Sequence, residues 1–181
     1  MTIKIGICGK AGAGKTTLAN AIADECETRG MHTRVVAFAD KLKEICTDVF
    51  GMKDKDRKLL QRVGMAMRNV DERVWIDYLI RVHDDEAKYD DDNNCIVVHD
   101  VRFLNEAEAL LSKGYTLVHL GVDRDTQLDR GRCVGHNHVS ETGVDELMSL
   151  CSFHNVLLTM NDTRRLAQEL VITAIGVGPK K

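Results

Sequence analysis

Gly9-Lys10-Ala11-Gly12-Ala13-Gly14-Lys15-Thr16 fits the pattern G-x-x-x-x-G-K-[ST] at every fixed position. Such a loop lets successive backbone N–H groups converge on phosphate oxygens, and a helix that starts at its end adds a positive dipole terminus. Lys15 can then reach the β- and γ-phosphates of a nucleoside triphosphate, and the Thr16 hydroxyl can hold Mg²⁺. Thr17 completes the candidate triphosphate-binding stretch 9–17. Other residues of chemical interest lie downstream. Asp100, Arg102 and Glu106 follow an apolar run, and Arg124, Arg130 and Arg132 precede a segment rich in Gly and His. Cys133, His136, Cys151 and His154 have the ligand types of a zinc site, although Cys151 and His154 fall beside a strand rather than in that segment. A scatter of ordinary residues explains them as well.

The elements that must position these groups follow from hydrophobic periodicity. Apolar runs predict strands at Ile3–Cys8, Arg34–Phe38, Cys95–Val98, Tyr115–Val122 and Val156–Met160. Helical spacing predicts helices at Lys15–Arg29, Lys41–Phe50, Leu59–Asn69, Glu72–Lys88, Asn105–Lys113, Asp125–Arg132, Val144–Leu150 and Arg164–Ile175. Strands that are near-continuous apolar runs and alternate with helices argue for a parallel sheet covered on both faces. The expected fold is a three-layer α/β domain with a five-stranded parallel sheet. Its two interruptions are the helices before Asp90 and the aperiodic segment Gly131–Gly143, read as a moving lid.

Composition removes other classes. The chain has 181 residues, 44% of them hydrophobic and 29% charged, so one ordinary globular domain is expected. With 25 Lys and Arg against 28 Asp and Glu, the net charge is −3, which is not the footprint of a nucleic-acid-binding surface. No apolar stretch of ~20 residues is present to span a membrane. The six cysteines form no Cys-x-x-Cys pair. Without a secretory pattern they read as reduced thiols, so a cytoplasmic protein is expected. The guanine-reading N-K-x-D string of GTPases has no counterpart beyond Asn161-Asp162.

One phosphate loop, a helical insertion after the second strand and an arginine-rich segment after the fourth resemble the small P-loop kinases of the nucleoside monophosphate kinase type. The strings Phe38-Ala39-Asp40-Lys41-Leu42-Lys43, Leu59-Leu60-Gln61-Arg62-Val63-Gly64 with Arg68 and Trp75, Asp100-Val101-Arg102-Phe103-Leu104-Asn105-Glu106, and His138-x-Ser140-Glu141 narrow this. Together they are similar to the phage-type deoxynucleoside monophosphate kinases, from about Lys4 to Leu170. Two positions depart from that pattern. Gly-Lys-Thr-Thr ends the loop where many relatives have Gly-Lys-Asp, and Leu104 stands where proline is common.

The resemblance implies one P-loop kinase domain over residues 1–181, with an acceptor-binding helical insertion at about 41–90 and a lid at about 124–143. It implies ATP and Mg²⁺ as cofactors, with Gly9–Thr17 holding ATP and Thr16 the metal. Lys15, Arg130 and Arg132 would stabilise the transferring phosphoryl group. Asp40, Lys43, Arg68, Trp75, Asp100, Arg102 and Glu106 would hold the acceptor, a deoxynucleoside monophosphate. Each has a plainer alternative: Trp75 as core, Arg68 as a solvated helix residue, Asp100 and Arg102 as a structural pair, Glu106 as a first-turn helix residue. The resemblance implies a small-molecule substrate, no nucleic-acid or membrane partner, and host cytoplasm if phage-encoded, and it allows for a homodimer. Two further readings stay open. One is a kinase of another phosphorylated metabolite, of the dephospho-coenzyme A or phosphomevalonate type. The other is an ATP-binding module without turnover.

Overall fold

A computed structural model of the chain describes residues 2–85, 94–122, 125–126, 143–156 and 159–176. They divide into two compact units, Met1–Val36 with Asp90–Lys181, and Ala37–Tyr89.

The first unit is built on a parallel five-stranded sheet. Its strands are β1 (Thr2–Gly9), β2 (His32–Val36), β3 (Asn94–Val101), β4 (Thr116–Gly121) and β5 (Phe153–Val156), in the spatial order β2-β3-β1-β4-β5. The fold class read from the sequence is the one observed. β1 is central, and its Ile3, Ile5 and Ile7 are at most 2% exposed. They point to one face, where α1 (Lys15–Glu27) and α6 (Met160–Ala174) pack. Leu18, Ala19, Ile22 and Cys26 of α1 meet Leu166, Ala167, Leu170 and Val171 of α6 in that core. The other face carries α5 (Leu104–Ser112) and a 3₁₀ segment, Gly143–Leu150. Buried Leu110, Val144 and Leu147 belong to this side.

The second unit holds α2 (Phe38–Phe50), α3 (Arg57–Val70) and α4 (Val74–Ile80), which runs into a π-helical turn, Arg81–Asp85. Phe38, Leu42 and Cys46 form the buried stripe of α2, and Trp75, Ile76, Leu79 and Ile80 are buried on α4. α3 buries only Gly64. A Cβ there would stand 3.1 Å from Leu42 Cδ2, so the glycine permits α3 to approach α2 closely.

Several boundaries differ from the periodicity, and capping explains most of them. The second strand stops at Val36 and Phe38 starts α2, because the Asp40 carboxylate accepts the Ala37 N–H at 2.9 Å and opens a helix there. Asp56 does the same for α3, accepting the N–H groups of Lys58 and Leu59. The fifth strand is Phe153–Val156 rather than Val156–Met160. Thr159 Oγ1 accepts the Asp162 N–H while the Asp162 carboxylate accepts the Thr159 N–H, a capping box that makes Met160 helical. The third strand runs three residues past Val98. The expected helix Asp125–Arg132 lies largely, and the segment Gly131–Gly143 almost wholly, outside the described residues. Among the described residues no helix is long and apolar enough to cross a membrane.

Leu18 is fully buried between α1 and the sheet. Leu18→Ala is expected to cost about 2–5 kcal/mol, through lost burial and the cavity left behind. Urea unfolding checks this, with the midpoint falling and the m-value unchanged.

Candidate functional site

β1 delivers the chain into the glycine-rich loop at a point with no spare volume. Gly9 lies beside Leu120 of β4 with φ +146°, and a Cβ on it would run into the Leu120 carbonyl oxygen. Only glycine meets both conditions. Gly12 and Gly14 also have positive φ. The Ala13 N–H donates to Lys10 O at 3.2 Å and closes the turn. α1 then begins with Gly14 as its N-cap, which brings no side-chain acceptor, and its first turn holds no acidic residue. The positive end of the helix is therefore not neutralised from within its own first turn, the electrostatics an anion requires.

Lys15 is 91% buried, being 9% exposed. Its Nζ donates to Gly9 O at 2.5 Å and Lys10 O at 2.9 Å. The ammonium is thus folded against the loop's own carbonyls, within a side-chain swing of any phosphate the loop receives. Thr16 and Thr17 are exposed on the same turn. An ammonium, a helix N-terminus, three left-handed glycines and an exposed hydroxyl form a donor set suited to a polyphosphate and its Mg²⁺.

The neighbouring strand ends beside this loop. β3 pairs with β1 so that Gly6 faces Val98 but Cys8 faces Val101. Three steps on β3 span two on β1, which places a bulge at His99–Asp100. Bulges re-aim side chains and gather near functional sites. The strand therefore extends through Asp100 instead of stopping before it, and Arg102 leaves the sheet where β1 leaves for Gly9. Both are half-buried. Carboxyl ends of parallel strands are where such sheets take ligands.

Glu106 is 2% exposed. Its Oε2 accepts the Arg102 N–H at 2.9 Å and the Phe103 N–H at 3.2 Å. This carboxylate holds the backbone of Arg102 and opens α5. The spacing Arg102-x-x-x-Glu106 is visible in the sequence, but this backbone role is not.

The other acceptor candidates belong to the helical unit. Lys43 Nζ pairs with Asp40 Oδ1 at 2.7 Å, with both side chains nearly half exposed, while the other Asp40 oxygen caps α2. Arg68 is half-buried in the last turn of α3. Trp75 is 3% exposed, and its Nε1 donates to Gly64 O at 3.4 Å, so the indole is part of that unit's core. Arg124, Arg130, Arg132, Cys133, His136 and His138 lie outside the described residues. Among those described, no group of three His, Cys, Asp or Glu is placed to hold a metal ion. Cys151 instead faces Cys8, with the sulfurs 3.3 Å apart. Sequence reasoning had no signal for that meeting, since 143 positions separate the two residues.

No family model matches the chain. It is 27% identical to a protein of Acanthamoeba polyphaga mimivirus named "Putative deoxynucleotide monophosphate kinase", over 93% of this chain and 94% of that one. That relative and the resemblance read from the motifs agree on the kind of kinase. Among solved structures, the chain superposes on a gluconokinase from Sinorhizobium meliloti with a TM-score of 0.55, at 15% identity and covering 97% of this chain and 95% of that one. A shikimate kinase from Aquifex aeolicus gives 0.56, at 11% identity with 97% and 96% covered. A sugar kinase from Janibacter gives 0.55, at 20% identity with 99% and 97% covered. The fold is that of the small P-loop kinases.

Removing the carboxylate of Glu106 takes away the acceptor shared by the Arg102 and Phe103 N–H groups. Glu106→Ala is expected to lower stability by about 1–3 kcal/mol. Glu106→Gln, whose amide oxygen still accepts, should lose less. Chemical denaturation of the two variants side by side measures the difference.

Proposed function

We propose that this chain is an ATP-dependent phosphotransferase that converts deoxynucleoside monophosphates to diphosphates. The observation that carries the reading is the complete phosphate loop, with the Lys15 ammonium folded into it, at the same sheet edge as Asp100 and Arg102. The mimivirus relative's name supports the choice of acceptor.

In this reading Gly9–Thr17 hold the triphosphate through backbone N–H groups. Lys15 exchanges its carbonyl partners for phosphate oxygens. The Thr16 hydroxyl would hold Mg²⁺, which would supply charge neutralisation on the triphosphate. An acceptor phosphate oxygen attacks the γ-phosphorus in line, and the bond to the ADP oxygen breaks. The acceptor phosphate is already ionised near pH 7, so no general base is needed. The protein's work is positioning and charge stabilisation. In the sheet unit Arg102 serves the acceptor, with Asp100 on the acceptor or on a metal-bound water; in the helical unit Arg68 is the acceptor-binding arginine. Glu106 acts through the Arg102 backbone. Asp40 and Lys43 complete the acceptor side within the insertion, and Trp75 supports it from that unit's core. Arg130 and Arg132 carry transition-state charge from a lid at about 124–143. We place the protein in the cytoplasm, acting on small molecules without a nucleic-acid or membrane partner.

A coupled ADP-release assay over the four deoxynucleoside monophosphates, the ribonucleotides, dephospho-coenzyme A and phosphomevalonate tests the acceptor. Turnover with a deoxynucleoside monophosphate is the expected result. Turnover confined to one of the last two reassigns the acceptor, and ATP binding without turnover on any of them removes the enzyme. Lys15→Ala should lower kcat by about 10²–10³-fold in a folded protein. Arg68→Ala should raise KM for the acceptor about 10- to 100-fold, the weight of a lost charge-assisted hydrogen bond, with KM for ATP nearly unchanged.

A further inference from the structure

Cys8 is the residue before Gly9, and Cys151 joins the 3₁₀ segment to β5. Their sulfurs lie 3.3 Å apart. A disulfide bond is ~2.05 Å long, so little more than an ångström of sulfur movement separates the dithiol from the disulfide. Both thiols are held in place: Cys8 Sγ lies 3.4 Å from Val118 O, and Cys151 Sγ lies 3.2 Å from Leu147 O.

The two are not equivalent. Cys8 is fully buried, while Cys151 is only half-buried. A reagent from solvent therefore meets Cys151 first. The hydrogen bond between the thiols, aided by burial, pushes the Cys8 thiol above its ordinary pKa. The same bond draws Cys151 down against the effect of burial. The accessible sulfur is thus also the one with more thiolate character, the form that reacts. A second hydrogen-bonded pair, Cys26 and Cys95, is fully buried on both sides and gives an oxidant no entry.

We propose that Cys8 and Cys151 form a peroxide-sensitive dithiol whose closure to a disulfide weakens nucleotide binding at the phosphate loop. The Cys151 thiolate attacks a hydroperoxide oxygen. The O–O bond breaks, Cys151 becomes a sulfenic acid, and the peroxide leaves as water or an alcohol after taking up a proton. The Cys8 sulfur then attacks the Cys151 sulfur. The S–S bond forms, the S–O bond breaks, and hydroxide leaves with the Cys8 proton as water. The two thiols lose two electrons and the hydroperoxide gains them. The Cys8 backbone is joined directly to Gly9. The Gly9 carbonyl anchors Lys15, and Gly9 has no clearance from Leu120 O. Any backbone displacement that closure imposes on Cys8 therefore falls on the first residue of the loop.

The thiol chemistry stands apart from the proposed function, whereas the effect on nucleotide rests on it. Reduced full-length protein is treated with hydrogen peroxide, denatured, alkylated and digested without reductant. In parallel, a fluorescent ATP analogue is titrated into the native protein. The expected result is a peptide pair linked through Cys8 and Cys151 and binding weaker by about fivefold or more, both reversed by dithiothreitol. Cys151→Ser should bind as the reduced wild type does and ignore peroxide. Free Cys8 and Cys151 after treatment, linkage through another cysteine, unchanged affinity of the linked protein, or the same loss in Cys151→Ser would each overturn the proposal. If the reduced protein itself does not bind the analogue, the proposed function fails and takes the nucleotide effect with it, while the linked peptide still reports the dithiol.

Discussion

A strand that must turn out of a sheet against its neighbour's carbonyl leaves room for a hydrogen and nothing more. That constraint at Gly9, pressed on Leu120 O with a left-handed φ, governs the geometry of the glycine-rich loop. It releases the chain from β1 at a defined height above the sheet edge. It fixes the carbonyl that anchors Lys15. It makes the residue before it, Cys8, part of the loop's mechanics although its side chain faces the interior. Glycine here is selected by clearance as much as by backbone freedom.

A second device recurs at the start of three helices, α2, α5 and α6. Asp40, Glu106 and Asp162 each sit in the first turn and reach back to a backbone N–H upstream. The carboxylate satisfies an orphan donor and complements the helix dipole together. The consequence depends on place. At Asp162 it starts the helix that packs on α1. At Glu106 it fixes the backbone of Arg102 beside the phosphate loop. At Asp40 one oxygen caps α2 and the other meets Lys43, so a residue expected to bind substrate also has a local structural duty.

The two compact units divide the candidate residues between them. The sheet unit carries the loop, Lys15, Asp100 and Arg102. The helical unit carries Arg68, Lys43 and Trp75 on a small core of its own, in which Trp75 and Gly64 are joined by a hydrogen bond.

Much of this was determined by local sequence. The eight-residue loop pattern, the apolar strands and the stripe Phe38-Leu42-Cys46 are short-range signals, and short-range physics reads them directly. Boundaries were less legible because side-chain caps override periodicity. The aspartates and Thr159 that begin α2, α3 and α6 moved strand and helix ends by several residues. Three features were decided only in three dimensions. The bulge that re-aims β3 at Asp100 exists because β1 and β3 advance at different rates along their shared ladder. The duty of Glu106 depends on Arg102 leaving the sheet with its N–H turned toward α5. The meeting of Cys8 with Cys151 depends on the strand order β1-β4-β5, which sets two distant thiols side by side. Contacts of that separation leave no periodic trace, because the chain between them contributes only its closure.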